Sequence, residues 1–272
     1  MAFNIGFSTL ACPDYDLDGI ISLATRSGYT GIELRFVRGE VDLPTLEEFS
    51  PARLAETRAR FTDAGLSVVC VDTSVRQSSL DESAREAERA NARANVRIAA
   101  GLGAPFIRVF GGPIAPEDDR ERVLDAIAAG LGAVAEESAA EGVTTLLESH
   151  DDFSTSESIL DLFARGAGDA LQVLWDTLHT YRHGESPDYT WSKLGDRIRH
   201  VHMKDSNAAN ADGFDFALAG EGTVPLLDIL GVLQRNGYAG FVHFEWEKAW
   251  HPEIEDAEIA VPHFARYLAD AM

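Results

Sequence analysis

Leu171-Gln172-Val173-Leu174-Trp175-Asp176 is an apolar strand-like run that ends in a polar residue. The fold depends on the repetition of runs of this kind along the chain. Such strand-like runs occur eight times, at residues 4–7, 31–34, 66–69, 105–109, 143–147, 171–174, 198–202 and 241–244. The 272 residues divided among eight runs give 34 each, about the length of one strand plus one crossover helix. Eight evenly spaced units predict a closed (α/β)8 barrel rather than an open sheet.

The stretches between the runs carry helix start and stop signals. Ser50 followed by Pro51 predicts an N-cap with proline in the first turn, and Gly65 predicts the end of that helix. Ser186 and Pro187 repeat the start signal. No linker rich in Gly, Ser or Pro divides the chain, so we expect a single TIM barrel domain over residues 1–272. The alternative is a Rossmann-type sheet, which the absence of G-x-G-x-x-G after the first run disfavours.

Composition limits the classes of protein. Apolar residues make up 45% and charged residues 25%, as in ordinary globular proteins. No run approaches the roughly 18 apolar residues of a membrane span, and the start of the chain lacks the basic residues of an export signal, so we expect a cytoplasmic protein without a membrane partner. The net charge of −22 disfavours nucleic acid as a partner. Cys12 and Cys70 are too few for a disulfide framework.

The last four runs each end in a polar residue that can bind a metal ion. These residues are Glu148, Asp176, His202 and Glu245. Because neighbouring strands of a barrel deliver their C-terminal ends to one mouth, we expect the four side chains to meet there. Three carboxylates and one imidazole suit a divalent ion, Mn²⁺ first, with Mg²⁺, Co²⁺ or Zn²⁺ as further choices. A rim of ion pairs without a metal stays open as the alternative.

Further polar residues at the same mouth are candidates for substrate contact. His179 follows Asp176 by three residues, and His150 follows the strand of Glu148. For His150 a structural role is an equal alternative. Lys204 is one of only three lysines, and it either bonds a substrate oxygen or neutralises Asp205.

The earlier strands offer fewer candidates. Glu33 and Arg35 share one face at the end of the second run, where they either pair with each other or hold a polar substrate; Glu33 is the preferred substrate contact. Arg108 on the fourth run has the same two alternatives. His200 shares a strand face with His202, so we expect it one layer deeper in the barrel.

The segments 176–179, 200–205 and 245–247 resemble the xylose isomerase-like TIM barrel superfamily, and more narrowly its sugar phosphate isomerase/epimerase family. The likeness extends to residues 28–34 and 220–224 and so covers essentially the whole chain. Ketose 3-epimerases, hydroxypyruvate isomerases, inosose dehydratases and endonuclease IV belong to the superfamily. Their shared metal ligands match Glu148, Asp176, His202 and Glu245. The arginine that ketose 3-epimerases have six residues after the metal histidine is Ala208 here.

The resemblance implies a metal-dependent isomerase or epimerase of a small sugar or related polyhydroxy carbonyl compound. Glu148 and Glu245 would serve as catalytic base and acid, removing a proton next to a metal-bound carbonyl to give an enediolate. A sugar or inosose dehydratase and a non-catalytic sugar-binding barrel remain alternatives. An AP endonuclease is disfavoured, because residues 206–213 contain no histidine and the chain is strongly acidic. We also expect a homodimer.

Overall fold

A closed barrel of eight parallel strands forms the centre of the protein. The computed structural model describes residues 3–210 and 213–271, without the side chains of residues 208 and 209, so the side chain of Ala208 lies outside the described residues. The barrel strands are β1 (Asn4–Ser8), β2 (Gly31–Leu34), β3 (Ser67–Asp72), β4 (Phe106–Val109), β5 (Thr144–Glu148), β6 (Gln172–Asp176), β7 (Ile198–Met203) and β10 (Phe241–Phe244). Strand β1 pairs with both β2 and β10, which closes the barrel. The prediction of eight strands in an (α/β)8 barrel is confirmed.

Helices surround the barrel. They are α1 (Leu17–Arg26), α2 (Leu54–Asp63), α3 (Glu82–Leu102), α4 (Arg120–Ala140), α5 (Ser156–Ala164), α6 (Thr177–Arg182), α7 (Pro187–Leu194), α8 (Leu226–Arg235) and α9 (Ala257–Ala271). Their buried faces carry mainly aliphatic residues that pack on the outside of the strands. Among the described residues, no helix combines the length and apolar character needed to cross a membrane.

One predicted helix start is confirmed and one is wrong. The Ser186 side chain accepts a hydrogen bond from the Tyr189 amide at the start of α7, as predicted. The Ser50 side chain does not cap α2, because residues 51–53 form a turn and the helix begins only at Leu54. The backbone carbonyl of Ser50 instead accepts the amide hydrogens of Arg53 and Leu54.

The interior of the barrel is partly polar. The imidazoles of His200 and His243 are fully buried, with ring centroids 4.4 Å apart. Gly6 on β1 makes room for them, because a Cβ atom at this position would lie 2.0 Å from Nε2 of His243. Two imidazole rings therefore lie in the barrel interior, where aliphatic side chains are usual.

A β-hairpin that we had not predicted follows the seventh barrel strand. Its strands are β8 (Asp205–Asn210) and β9 (Gly213–Ala217), which pair antiparallel. The Asp205 carboxylate accepts hydrogen bonds from the amides of Gly220, Gly222 and Val224, at 2.8, 3.0 and 3.1 Å. Gly222 has to be glycine for this contact, since a Cβ atom there would lie 2.2 Å from Oδ1 of Asp205. Asp205 thereby ties the start of the hairpin to the loop that follows it.

Candidate metal centre and active site

The structure brings the four predicted metal ligands together at the C-terminal mouth of the barrel. Glu148 ends β5, Asp176 ends β6, His202 lies in β7, and Glu245 follows β10 directly. All four are buried, and one possible ligand atom of each lies within 4.8 Å of those of the others. The parallel register explains this, because Asp176 pairs with His202 and His202 pairs with the residue two positions before Glu245.

The donor atoms of this cluster fit a metal ion. Both carboxylate oxygens of Glu148 and Nδ1 of His202 are buried and make no hydrogen bond within the described residues. Nδ1 of His202 lies 3.4 Å from Oε1 of Glu148 and 3.3 Å from Oε1 of Glu245. Buried polar atoms are normally satisfied, so a group of unsatisfied oxygen and nitrogen atoms facing one another is suited to a cation.

Burial and neighbouring charges shift the acidity of these carboxylates in different directions. Burial raises the pKa of Asp176 to about 7, although the Lys204 ammonium opposes the rise. Burial acts the same way on Glu245, but Lys204 and His202 hold the pKa of Glu245 well below its usual range. The two carboxylates therefore differ in how readily each holds a proton.

Glu33 reaches His202 from the far side of the mouth. Its Oε2 atom lies 2.9 Å from Nε2 of His202 and 2.8 Å from Nε2 of His200, and all three side chains are fully buried. With Nε2 engaged, His202 presents Nδ1 to the cluster. The predicted position of His200 one layer deeper fits this arrangement. The alternative of a Glu33–Arg35 pair is wrong, since Arg35 bonds the carbonyl of Asp72 and the hydroxyl of Ser74 instead.

Lys204 is fully buried between three carboxylates. Its Nζ lies 2.8 Å from Oδ2 of Asp176 and 2.7 Å from Oε1 of Glu247, and it donates a hydrogen bond to Glu245. The alternative that Lys204 neutralises Asp205 is wrong, because Asp205 bonds backbone amides. Burial alone would lower the pKa of Lys204, but the surrounding carboxylates hold this pKa well above its usual range.

His150 and His179 lie next to each other beside the ligand cluster. Their ring centroids are 4.5 Å apart, and both nitrogen atoms of the buried His179 ring lack a hydrogen-bond partner among the described residues. Nδ1 of His150 lies 3.0 Å from Oδ1 of Asp151. Aromatic rings flank the pair, Phe110 on the side of His150 and Phe214 of the hairpin on the side of His179. The arrangement offers two imidazoles between apolar walls.

The sequence analysis did not identify two contributors to the site. Asp72, at the end of β3, has its Oδ2 atom 3.3 Å from Nη2 of Arg108. Phe214 approaches the site only because the hairpin folds over it. For Asp72 a signal existed, since it closes an apolar strand in the same manner as Asp176.

Comparison with known proteins supports the resemblance. The model of the family described as xylose isomerase-like TIM barrel matches residues 21–267. An inosose dehydratase of Lacticaseibacillus casei is 29% identical over 94 residues, which cover 29% of this chain and 32% of the relative. One of Clostridium beijerinckii is 27% identical over 108 residues, which cover 35% and 36%. The match thus spans about a third of the length of these curated relatives.

Solved structures share the whole fold at low sequence identity. The probable 3-DHS dehydratase AsbF of Bacillus anthracis has a TM-score of 0.82 at 19% identity, with 99% of each chain covered. The IolI protein with a bound zinc atom has a TM-score of 0.82 at 17% identity, covering 99% of this chain and 98% of that one. An L-ribulose 3-epimerase has a TM-score of 0.79 at 18% identity, covering 100% and 94%. Because the family model matches nearly the whole barrel, the chain belongs to the xylose isomerase-like TIM barrel family.

Proposed function

We propose that the protein is a divalent-metal-dependent isomerase or epimerase of a small sugar or related polyhydroxy carbonyl compound. The observation that carries this proposal is the buried cluster of Glu148, Asp176, His202 and Glu245 at the barrel mouth, in which both oxygens of Glu148 and Nδ1 of His202 make no hydrogen bond within the described residues. The epimerases among the structural neighbours support it, as does the zinc named for the IolI protein. The excess of carboxylates favours Mn²⁺ over softer ions.

A divalent ion held by these four residues would polarise a substrate carbonyl and stabilise the negative charge that develops when a neighbouring carbon loses its proton. The side chains of this chain supply the proton transfers. Glu148 is the base, because neither of its oxygens makes a hydrogen bond within the described residues, and their contacts are with Arg108 at 3.2 Å and His202 at 3.4 Å. Burial raises the pKa of Glu148, but the Arg108 guanidinium at 3.2 Å and the His202 imidazole together lower it below its usual range, so we expect the carboxylate to be ionised at neutral pH.

Glu245, on the other side of the site, returns the proton. Because Lys204 and His202 hold the pKa of Glu245 well below its usual range, it is ionised at rest and acts as the acid only after it has taken up a proton during the reaction. Its Oε2 accepts a hydrogen bond from Lys204, which fixes the orientation of the carboxyl group, and its Oε1 faces His202. Return of the proton to the same carbon on the opposite face gives an epimer, and return to the neighbouring carbon gives an isomer. His150 and His179 bond substrate hydroxyl groups, and Phe110 and Phe214 exclude water from them.

A dehydratase is the second candidate, favoured by the Lys204 ammonium and by the inosose dehydratases among the curated relatives. In this reaction Glu148 takes the proton from carbon, and the electron pair left behind forms a carbon–carbon double bond. The hydroxyl group on the next carbon leaves with a proton from Lys204, as water. The two candidates share their first step and differ in what happens to the electron pair.

The test is deuterium exchange at carbon. We would incubate the Mn²⁺-loaded protein in D₂O with a panel of ketoses, aldoses and inososes, and follow it by NMR and mass spectrometry. We expect at least one compound to take up deuterium next to its carbonyl group. A product that retains all its oxygens identifies an isomerase or epimerase, and loss of one water identifies a dehydratase. If no compound in the panel exchanges, the proposal is wrong.

A further inference from the structure

The side of the mouth formed by the ends of β2, β3 and β4 carries two arginines that the proposed reaction does not fully use. We propose that the substrate carries an anionic group, a carboxylate or a phosphate, which Arg35 and Arg108 bind on this side while the reacting carbonyl lies at the ligand cluster. This inference rests on the proposed function and narrows its substrate class. Three observations support it.

First, Arg35 is a buried cation without a counter-ion. The residue is only 6% exposed, and within the described residues its guanidinium forms no ion pair with a carboxylate. Its hydrogen bonds go to neutral acceptors, the carbonyl of Asp72 at 3.4 Å and the hydroxyl of Ser74 at 2.8 Å. Burying an unpaired charge is costly, so such a group is expected to meet an anion in the functional complex.

Second, Arg35 is held firmly in place. The Thr9 hydroxyl accepts hydrogen bonds from the backbone amides of Arg35 and Phe36, at 2.8 and 2.9 Å. Ser74, which accepts from the guanidinium, is itself exposed, so Arg35 lies just beneath the surface of the mouth. A donor group that the fold orients in advance loses little entropy on binding a ligand.

Third, Arg108 adds a second buried guanidinium, with Nε 3.2 Å from Oε2 of Glu148 and Nη2 3.3 Å from Oδ2 of Asp72. Its Nε and Nη1 atoms are buried without a hydrogen bond among the described residues, and its guanidinium carbon lies 4.0 Å from the centre of the Phe110 ring. Of these two carboxylates, Glu148 would also be engaged by a metal ion held at the ligand cluster. Burial and the neighbouring Glu33 raise the pKa of Asp72 well above its usual range, against the opposing effect of Arg108.

The two sides of the mouth then select opposite ends of one molecule. Carboxylates and an imidazole hold the cation that binds the carbonyl end. Guanidinium groups, whose planar N–H donors match carboxylate and phosphate oxygens, hold the anionic end. A neutral sugar would leave the Arg35 charge buried and unpaired.

The experiment compares neutral and anionic probes of similar size. We would measure their affinity for the Mn²⁺-loaded protein by titration calorimetry, with dihydroxyacetone against dihydroxyacetone phosphate and hydroxyacetone against hydroxypyruvate. A charge-assisted pair of hydrogen bonds predicts a preference of about tenfold or more for one anionic probe. The pair that shows the larger preference identifies phosphate or carboxylate as the group recognised.

Two variants distinguish an effect of Arg35 on the affinity for the anionic probe from an effect of the overall charge of the protein. R35Q should abolish the preference for the anionic probe and leave the affinity for the neutral one unchanged. R38Q removes the same charge from an exposed arginine that pairs with Glu48, and it should keep the preference. If R35Q does not fold, competition decides on the wild-type protein, where inorganic phosphate should displace the anionic probe and not the neutral one.

Equal affinity for neutral and anionic probes, or a preference that R35Q retains, overturns the inference. These outcomes are distinct from failure of the proposed function. Deuterium exchange with neutral sugars and no charge preference would leave the proposed function standing without the anion site. An Arg35-dependent preference without exchange in any compound would leave the anion site standing without the reaction.

Discussion

The two halves of the barrel mouth are built from equally buried side chains but carry opposite charges. The acidic half consists of the ends of β5, β6, β7 and β10, which contribute carboxylates and an imidazole around one point. The basic half consists of the ends of β2 and β4, which contribute Arg35 and Arg108. Within the described residues, Arg108 contacts Glu148 across the two halves, and Glu33 contacts His200 and His202 across them. The comparison teaches that the two halves are neutralised to different degrees, because Lys204 pairs with carboxylates of the acidic half, whereas Arg35 makes no ion pair within the described residues.

Glu33 shows that the contacts of a side chain, and not the strand on which it stands, decide to which half of the mouth it belongs. It stands on β2, among the residues of the basic half, yet its carboxylate bonds His202 of the acidic half. The net charge of −22 does not reveal this pattern, because it is a sum over the whole chain.

The strongest test of the acidic half is E148Q. The amide keeps the size of the side chain but can neither accept the proton nor supply a negative ligand, so we expect the exchange rate to fall by about 10³-fold. The rate of deuterium uptake by an accepted substrate measures this. E141Q, at the exposed end of α4, is the matched control and should exchange at the wild-type rate. Unchanged exchange in E148Q would remove Glu148 from the mechanism.

Removal of the metal tests whether the acidic half needs a cation at all. An ion at a hundred times its dissociation constant stabilises the fold by about 2.7 kcal/mol. We therefore expect the melting temperature in Mn²⁺ to exceed that in EDTA by about 5 °C or more. Identical melting temperatures in Mn²⁺ and EDTA would favour the alternative of an ion-pair rim without a metal.

The smallest expected effect is that of E33Q, which tests whether Glu33 orients His202 or contacts the substrate. In E33Q the fixed acceptor for Nε2 of His202 is weakened, and we expect the affinity for Zn²⁺, measured against a competing chelator, to fall by about tenfold to a hundredfold. E47Q, at an exposed position, should bind Zn²⁺ like the wild type. Were Glu33 a substrate contact, as the sequence suggested, E33Q would raise KM and leave the affinity for Zn²⁺ unaltered.

The barrel and the positions of the four ligands could be predicted because both follow from local patterns. Each strand is a short apolar run, and a polar residue at its end is carried to the mouth whatever the rest of the chain does. Glu148, Asp176, His202 and Glu245 needed only this rule.

The partner of Glu33 could not be predicted because it depends on geometry across the barrel. Strands β2 and β3 shift register between Ile32 and Glu33, and such an irregularity re-aims the side chain that follows it. The residues that Glu33 contacts lie 167 and 169 positions away along the chain. No pattern within β2 contains that information.

The hairpin escaped prediction for a different reason. Residues 205–210 are Asp, Ser, Asn and Ala, which are poor strand formers. Their extended conformation depends on pairing with β9 and on the bonds of Asp205 to the loop at residues 220–224. The alternation of Phe214 and Phe216 in β9 was the one local signal of a strand.

The attachment of the hairpin through Asp205 allows the residues that lie over the candidate site to change while the residues of β7 stay as they are. Since the Asp205 side chain ties the root of the hairpin to the loop at residues 220–224, changes at Phe214 alter the contact of the hairpin with His179 without removing these hydrogen bonds. We expect that exchanging this hairpin between relatives changes the substrate preference, while the proposed metal ligands Glu148, Asp176, His202 and Glu245 stay unchanged.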